Sequence, residues 1–506
     1  MPLRRGVLTD EKPCGLRCIF HSRFTCEKKV LLRRCFLFYD EALDYIRRIE
    51  ADGSDYGTAR ERELLDLLGA PDAAYPIIHV AGTNGKGSVS AMLTSVLVEA
   101  GYRVGTYVSP VVLCYNERFL LDGKPLSCGK VAEYMTEVRL AVEGERGGRS
   151  GERIGDCIQK RSRSAPTAFE QETALAFLAF ARERCDVVVA ETGLGGRADA
   201  TNAVREKCLA VITKIGLDHC GLLGDTLAAI AGEKAGIIRG AAVTCPQERE
   251  AADVLYPLVA RVSGTPRLIL RTPLGQRFEY DGEVYVTGLQ GDHQLLNAAL
   301  VIGAVRVLRE KGFDIPQTAL KEGLKRAVWH ARFEVLTAEN CADSPYDITV
   351  PHGKTLVLDG AHNPQGAGAL ADTLGDVFPK VRIAAVIGVL ADKDYEGVLR
   401  RVLPLAERVY AVTPDSPRAL RAECLKACAE RVADLPVEVC ADVREGVGKA
   451  LSSDAEVTVV CGSLTLFHEI ARRDADARRD AGCADRGDIA RVRHMSRKGV
   501  QKPDNA

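Results

Sequence analysis

The sequence predicts an α/β protein of two domains, each built around a mostly parallel sheet. Short apolar runs typical of strands alternate with helix-patterned segments along most of the chain, which indicates βαβ units. The runs form two series, and a polar stretch at 340–345 separates them. At 506 residues, the chain is also longer than a single hydrophobic core usually serves.

The first series predicts the larger domain, at residues 38–328. Between helical stretches, strand-like apolar runs occur at 77–80, 104–108, 187–190 and 209–213. The preceding segment, 1–37, is basic, rich in cysteine and without periodicity, so we expect either a disordered extension or a misplaced start codon there. A stretch rich in Arg, Gly and Ser at 144–164 predicts a surface insertion within this domain.

The second series predicts a smaller, Rossmann-like α/β domain at residues 329–470. Each of its apolar runs adjoins a helix-like segment, and the runs lie at 356–359, 384–389, 408–413 and 457–461. The remaining segment, 471–506, is rich in Arg and Asp and weakly patterned, and we expect a frayed tail.

Composition argues against several classes of partner. The formal net charge is −1, so no general basicity attracts nucleic acid or anionic lipid. We find neither an apolar stretch of the ~18 residues that a membrane helix needs nor a signal-peptide pattern, and we expect a cytoplasmic location. The 17 cysteines are an odd number and scattered, which indicates reduced thiols and no disulfide framework.

Residues 82–88 read GTNGKGS and lie between a predicted strand and a predicted helix. This placement predicts a nucleotide phosphate site, because backbone N–H groups and the positive end of the helix dipole meet there and Lys86 adds a full charge. A glycine turn that binds nothing is the alternative, and the lysine argues against it. The loop is a variant, since Gly82 lies only three residues before Gly85 and another glycine follows the lysine.

Other polar residues follow strands of the same predicted sheet. Glu191 comes directly after the run 187–190, and His219 follows the run 209–213. Because ligands gather at the carboxyl ends of parallel strands, we expect both to face the crevice that holds Lys86. A carboxylate there is a reasonable ligand for the Mg²⁺ that accompanies a triphosphate, although an acid that only caps a helix is an equal alternative.

Five motifs occur in order: GTNGKGS, ETGLGGRADATN, LDHCGLLGDTLAAIAGEKAGI, WHARFEV and LDGAHNPQG. With them, the chain resembles the folylpolyglutamate synthase/dihydrofolate synthase family of the Mur ligase superfamily, from about residue 39 to 470. The resemblance implies a P-loop ATPase domain followed by a glutamate-binding domain. It also implies a monomeric ligase that uses ATP to join L-glutamate to a folate or to dihydropteroate, through an acyl phosphate.

The resemblance also implies roles for individual residues. The nucleotide contacts fall on Thr83, Asn84, Gly85, Lys86, Gly87, Ser88, Asn297, Arg332 and Asp359. Ligands for one or two Mg²⁺ ions fall on Ser109, Glu191 and His219. Substrate contacts fall on Thr167, Arg197, Ala198, Asp199 and His362. The catalytic groups are Lys86, His219 and Lys234, and Lys234 matches a lysine that the family carboxylates to a carbamate.

Three short segments depart from the family pattern. The chain has Ser109-Pro110-Val111 for Ser-Pro-His, His330-Ala331-Arg332 for Pro-Gly-Arg, and Gly57-Thr58-Ala59-Arg60 for a Gly-Leu-Glu-Arg pterin motif. The ATP and metal positions are retained while the acceptor end is altered. The pattern therefore predicts ligase activity more strongly than it predicts dihydrofolate synthase activity.

Two other functions compete with this interpretation. A Mur-type ligase acting on a cell-wall precursor shares the ATP chemistry, but the region before residue 77 is short for a domain that binds a UDP-sugar. A P-loop ATPase that forms no amide is the second alternative. The joint occurrence of His219, Lys234 and Arg332 argues against it.

Overall fold

The computed structural model describes residues 36–50, 57–143 and 165–472. The predictions for 1–35, 144–164 and 473–506 lie outside the described residues. At the margins, packing extends slightly further than predicted. The backbone N–H of Leu37 donates to Thr136 Oγ1 at 3.0 Å, and that of Arg472 donates to the carbonyl of Pro345 at 2.7 Å.

The first sheet has eight strands in the order β4-β3-β2-β5-β1-β6-β7-β8. They are β1 Ile77–Ala81, β2 Val104–Tyr107, β3 Phe119–Leu121, β4 Lys124–Pro125, β5 Val187–Glu191, β6 Leu209–Ile212, β7 Ala242–Thr244 and β8 Arg261–Val262. Strands β2, β5, β1, β6, β7 and β8 are parallel to one another, and β3 and β4 add an antiparallel edge beside β2. Val80 pairs with both Glu191 and Val211, so the carboxyl ends of β5, β1 and β6 lie side by side.

Helices cover both faces of this sheet. They are α1 Tyr39–Glu50, α2 Ala59–Leu67, α3 Lys86–Glu99, α4 Cys128–Glu143, α5 Ala168–Arg182, α6 Cys220–Leu223, α7 Leu227–Ala235, α8 Arg249–Leu255, α9 Asp292–Glu310 and α10 Gln317–Arg326. Ile78 and Val80 belong to a core cluster that includes residues of α3, α9 and α10, whereas Ile77 belongs to the cluster on the other face, with residues of α1, α2, α4 and α5. Both faces of β1 are therefore buried, which explains why its sequence is a continuous apolar run.

A small antiparallel sheet, which the sequence analysis does not predict, lies beside α9. Its strands are β9 Arg267–Thr272, β10 Gly275–Tyr280 and β11 Glu283–Thr287, in the order β11-β10-β9. The turn from β10 to β11 is Asp281-Gly282, and both residues have positive φ, +50° and +77°. An Asp-Gly pair of this kind is a hairpin signal that is visible in the sequence.

The second sheet has six strands in the order β12-β13-β17-β14-β15-β16. They are β12 Glu334–Leu336, β13 Thr355–Leu358, β14 Ile383–Ile387, β15 Ala406–Ala411, β16 Val437–Val439 and β17 Val457–Cys461. All pairings are parallel except that of β12 with β13. The helices on its two faces are α11 Pro364–Val377, α12 Tyr395–Val402, α13 Ala422–Val432, α14 Val443–Ser452 and α15 Thr465–Ile470.

The predicted fold class is confirmed: a mostly parallel α/β sheet is followed by a second, smaller α/β sheet. Short 3₁₀ helices complete the connections, at Pro71–Ala73, Tyr115–Arg118, Ala200–Ala203, Tyr256–Leu258, Cys341–Asp343 and Leu403–Leu405. Cysteines in the described ranges carry thiols and form no disulfide there, as predicted. Within those same ranges, no helix combines the length and apolarity that a bilayer crossing requires.

Candidate active site

The GTNGKGS loop joins β1 to α3 as predicted. The helix begins at Lys86, and Gly85 is its N-cap residue with φ +90°, a conformation that glycine adopts without strain. The N–H groups of Thr83 and Asn84 donate to the carbonyl of Lys214 at 3.1 and 3.3 Å, which anchors the loop to the segment after β6. No side chain caps the helix, so this N-terminus retains the capacity to bind an anion.

The loop glycines allow three other segments to approach closely. A Cβ atom on Gly82 would collide with Thr213 Oγ1. On Gly85 it would lie 2.6 Å from Asn297 Oδ1, and on Gly87 it would lie 2.8 Å from the Trp329 ring. Asn297 thus lies beside the loop, as its predicted nucleotide role requires.

Ser88 is also tied to α9. Its hydroxyl accepts a hydrogen bond from Gln294 Nε2 at 3.0 Å. Gln294 in turn accepts from Asn297 Nδ2 at 2.9 Å. One chain of hydrogen bonds therefore holds the start of α3 against the start of α9.

Glu191 ends β5 and is 3% exposed. Burial raises the pKa of this carboxyl to about 7, although the positive charges of Lys86 and Arg332 and a backbone hydrogen bond from Ser109 oppose the shift. Its Oε2 atom has no hydrogen-bond partner in the described part of the chain. A buried carboxylate oxygen without a partner is costly, and a bound cation removes that cost.

The predicted metal ligands are brought together only in part. Ser109 follows β2, is half-buried and donates its backbone N–H to Glu191. His219 lies instead on the exposed segment before α6 with φ +50°, and its Nε2 is 3.7 Å from Asp218 Oδ2. Across 36–50, 57–143 and 165–472, no three His, Cys, Asp or Glu side chains are grouped to hold a metal.

The chemistry of Ser109 and Glu191 nevertheless fits Mg²⁺. This cation prefers oxygen ligands, keeps several waters, and is usually bound by one or two carboxylates together with substrate phosphates. The unpartnered Glu191 oxygen beside the Lys86 loop supplies such a carboxylate.

Lys234 lies on α7 with only 5% of its surface exposed. Its Nζ donates to the carbonyl of Gly82 at 2.8 Å, so the predicted catalytic lysine touches the nucleotide loop. Burial, with the charge of Lys86 adding to it, lowers the pKa of Lys234 to about 8.

Residues of the second sheet complete the site from the opposite side. Arg332 is half-buried, and its charge acts on both Glu191 and Asp359. The oxygens of Asp359 accept hydrogen bonds from the N–H groups of Phe333 and Ala361, each at 2.8 Å. Asn84 Nδ2 is 3.5 Å from Gln365 Oε1 at the start of α11, so the glycine loop reaches the second sheet directly.

His362 lies near this junction, half-buried. Its Nδ1 is 2.8 Å from the carbonyl of Gly360, and burial lowers its pKa. Arg332 and His362 interact electrostatically, so this predicted substrate residue lies near the arginine.

The residues predicted to bind the acceptor substrate are either already engaged in structural hydrogen bonds or exposed. Thr167 caps α5 in a reciprocal capping box with Glu170. Asp199 is buried and accepts from the N–H groups of Leu194 and Thr201 at 2.8 and 3.0 Å. Arg197 and Ala198 are exposed, and Arg197 Nε is 3.3 Å from Glu233 Oε1.

Two residues at the site are not predicted from the sequence as functional. Trp329 lies against the glycine loop, and Gln294 bonds to Ser88. Trp329 is the single tryptophan of the chain and begins the WHARFEV motif, which is the signal that could have identified it. Gln294 stands three residues before Asn297, on the same face of α9.

Comparison with known proteins agrees with this architecture. The profile of the family described as "Mur ligase, glutamate ligase domain" matches residues 348–464. The Bacillus subtilis dihydrofolate synthase/folylpolyglutamate synthase is 35% identical over 459 residues, which cover 87% of this chain and 99% of the relative. The Mycobacterium tuberculosis folylpolyglutamate synthase complexed with ADP is 31% identical, with a TM-score of 0.70 over 88% of this chain and 98% of that one.

A further solved structure is a bifunctional folylpolyglutamate synthase/dihydrofolate synthase with Mn, AMPPNP and L-glutamate bound. It is 28% identical, with a TM-score of 0.67 over 86% of this chain and 98% of that one. Sequence identity over nearly the whole length of the relatives, together with the shared two-sheet architecture, identifies the family of this chain. It belongs to the folylpolyglutamate synthase/dihydrofolate synthase family of Mur ligases.

Proposed function

We propose that this enzyme joins the amino group of L-glutamate to a carboxylate of a folate and converts ATP to ADP and phosphate, because ATP phosphorylates the carboxylate to an acyl phosphate and the amine then displaces the phosphate. The observation that carries the proposal is the joint placement of Lys86, Glu191 and Arg332. Lys86 follows β1 and Glu191 ends β5 of the first sheet, and Arg332 lies just before β12, the first strand of the second sheet. Their charges interact. Family membership supports the assignment.

The nucleotide contacts proposed from the family pattern fit the geometry. The uncapped start of α3, residues 83–88, would hold the phosphates, and Asn297, Arg332 and Asp359 would contact the rest of the nucleotide. Phosphorylating a carboxylate brings two anions together. Lys86 and Arg332 would offset their repulsion, and fixed N–H groups would hold the phosphates in line for transfer.

We propose that Ser109 and Glu191 hold one or two Mg²⁺ ions, and that His219 joins them when its exposed segment closes. The metal would supply positive charge that neutralises the phosphates. Glu191 would then be held as a carboxylate despite its burial, because a neighbouring cation favours the charged form.

Lys234 is proposed to be carboxylated. The neutral amine forms a bond to the carbon of CO₂ and releases one proton, which leaves an anionic carbamate in place of a cation. A pKa lowered to about 8 supports this step, because it raises the fraction of neutral amine near neutral pH. The hydrogen bond to Gly82 places the group at the phosphate loop.

Dihydropteroate is a second proposed acceptor, favoured by the double name of the B. subtilis relative. Thr167 and residues 197–199 would bind the pterin end, and His362 would lie near glutamate. We assign residues 38–328 as the ATP-binding domain and 329–470 as the glutamate-binding domain. The substrates are small molecules, and we propose a monomer in the cytoplasm.

Phosphate release with ATP, Mg²⁺, L-glutamate and either a reduced folate or dihydropteroate tests this function. We expect release to require glutamate and one of these acceptors, and we expect mass spectrometry to show the glutamyl amide. Release without glutamate would instead indicate a simple ATPase. Activity only with a UDP-sugar peptide acceptor would indicate a cell-wall ligase.

A further inference from the structure

The segment that carries Arg332 adopts an unfavourable backbone conformation. Ala331 and Phe333, on either side of the arginine, have φ of +53° and +49°. Side chains with a Cβ rarely occupy this left-handed region, and such residues persist where the surroundings fix them. The structure around Arg332 must therefore supply strong constraints.

Two carboxylates supply these constraints, one on each side of the arginine. Glu334 Oε2 accepts from the N–H of Ala331 at 3.1 Å, and Asp359 Oδ2 accepts from the N–H of Phe333 at 2.8 Å. The carbonyl of Ala331 accepts from the N–H of Gly360 at 2.8 Å. We name residues 331–333 with Glu334 and Asp359 the arginine clamp.

The second sheet fixes the spacing of these two carboxylates. Glu334 begins β12 and pairs with Leu358 at the end of β13, and Asp359 follows Leu358 directly. The Glu334 carboxylate is held further by Tyr346, whose hydroxyl donates to Oε2 at 2.7 Å, and Oε1 lies 3.0 Å from His330 Nδ1. Tyr346 is fully buried, so this support is rigid.

The clamp also sets the direction of the guanidinium. Arg332 Nη1 donates to the carbonyl of Ala331 at 3.1 Å and lies over Gly360, where an added Cβ would come within 2.5 Å of it. In this position its charge acts on Glu191 of the first sheet. A different backbone conformation at residue 331 would turn the guanidinium away from the nucleotide loop.

We propose that Glu334 is a positioning residue for the ligase reaction, which acts by holding the turn at residues 331–333 so that Arg332 faces Glu191 and the nucleotide phosphates. This inference rests on the proposed function. Glu334 touches no reacting atom in this account, and its whole effect on catalysis passes through Arg332.

The test is a double-mutant cycle of Glu334→Ala and Arg332→Ala, measured as kcat and as kcat/KM for ATP. The alanine removes both carboxylate oxygens, whereas a glutamine could still accept from Ala331 N–H through its remaining carbonyl oxygen. We expect Glu334→Ala alone to lower kcat/KM by about 10- to 100-fold, the loss that a misplacement of ~1 Å can cause. In the Arg332→Ala background it should cause almost no further loss, since both changes remove the same interaction.

Rescue provides a second measurement. Adding Ala331→Gly to Glu334→Ala should restore part of the activity, because glycine adopts the left-handed conformation without a carboxylate to enforce it. Glu339→Ala, which removes an exposed carboxylate in the same segment, is the matched control and should have no effect. Thermal unfolding of each variant separates loss of fold from loss of position.

The outcomes are distinct. An equal loss from Glu334→Ala in both backgrounds, or full activity of the single variant, overturns the positioning role. If the wild-type enzyme forms no glutamyl amide, or if Arg332→Ala is fully active, the proposed function fails at that point instead.

Discussion

The two ends of the proposed site differ in how much of their hydrogen-bonding capacity the fold already uses. At the nucleotide end, α3 starts without a side-chain cap, and Glu191 Oε2 has no partner in the described ranges. At the acceptor end, Thr167 is engaged in a capping box, and Asp199 accepts two backbone hydrogen bonds. Arg60 and Glu170 form a buried ion pair there, with Nε and Oε1 3.1 Å apart.

This difference distinguishes groups that are free to bind a ligand from groups whose hydrogen bonds stabilise the fold. A buried polar atom without a partner costs free energy unless something binds it, whereas a satisfied group contributes stability on its own. Lys86 and Glu191 should therefore respond to mutation mainly in activity, whereas Asp359, which accepts two backbone hydrogen bonds, also stabilises the fold. The acceptor end should respond first in stability.

The largest expected effect is at Lys86. Lys86→Ala removes the one full charge of the glycine loop, and we expect kcat to fall by about 10²- to 10³-fold, as for loss of a group that stabilises transition-state charge. The unfolding temperature should stay the same, because Lys86 is half-buried and its one described hydrogen bond is long, 3.4 Å to the carbonyl of Thr83. Exposed Lys311→Ala is the control. A near-normal kcat in Lys86→Ala would contradict the role of this lysine.

The next effect concerns Glu191. Glu191→Gln keeps the shape but removes the charge that would attract a cation, so the Mg²⁺ concentration for half-maximal activity should rise by at least about tenfold. Metal titrations of phosphate release measure this, with exposed Glu206→Gln as the control. An unchanged Mg²⁺ dependence would remove Glu191 from the set of metal ligands.

The sequence predicts the long, fully buried strands most clearly, whereas β7, which is buried but has only three residues, is not predicted. β1, β5, β14 and β17 are buried at every residue, and strands buried on both faces appear in a sequence as continuous apolar runs. β9 is almost wholly exposed, and Arg267 and Arg271 flank an apolar run of only three residues, so the run is too short to predict a strand. β12 has only three residues, too few for a periodicity to be seen.

The site is predictable where its residues are neighbours along the chain. The glycine loop combines strand, turn, lysine and helix start within a few residues, so local chemistry identifies it. Contacts such as Ser109 with Glu191, or Glu334 with the N–H of Ala331, depend on sheet register and linker conformation instead. The exposed placement of His219 also depends on the loop, since a strand end fixes only the residues that follow it directly.

At the acceptor end, Glu61 is an exception, because the fold does not satisfy its hydrogen-bonding capacity. It lies on α2, is fully buried, and neither of its carboxylate oxygens has a partner in the described ranges. Burial, with the charge of Glu170 adding to it, raises the pKa of this carboxyl well above 4.5. Folding therefore forces Glu61 to take up a proton at any pH above its unfolded pKa, and the cost of that uptake grows as the pH rises toward its folded pKa.

Glu61→Leu should accordingly stabilise the protein by about 1–3 kcal/mol. The gain should be smallest near about pH 5 and should increase toward about pH 8, because leucine does not titrate. Urea unfolding at both pH values measures it, and Glu206→Gln, which changes an exposed carboxylate of the same domain, is the control. A destabilised Glu61→Leu variant would show that this acid has a partner when the chain is folded in solution.

The smallest expected effect is at Thr167. Thr167→Ala removes the cap of α5 and should lower the free energy of unfolding by about 1 kcal/mol, whereas Thr167→Ser keeps the capping hydroxyl and should lower it much less. If Thr167 serves the fold alone, neither variant changes the KM for the folate acceptor. If Thr167 also contacts the pterin, the alanine variant raises that KM and leaves the KM for ATP unchanged. That second result would show that a hydroxyl that already caps a helix can also bind a substrate. A satisfied hydrogen bond would then not be enough to classify a residue as structural, and contact with the ligand would have to decide its role.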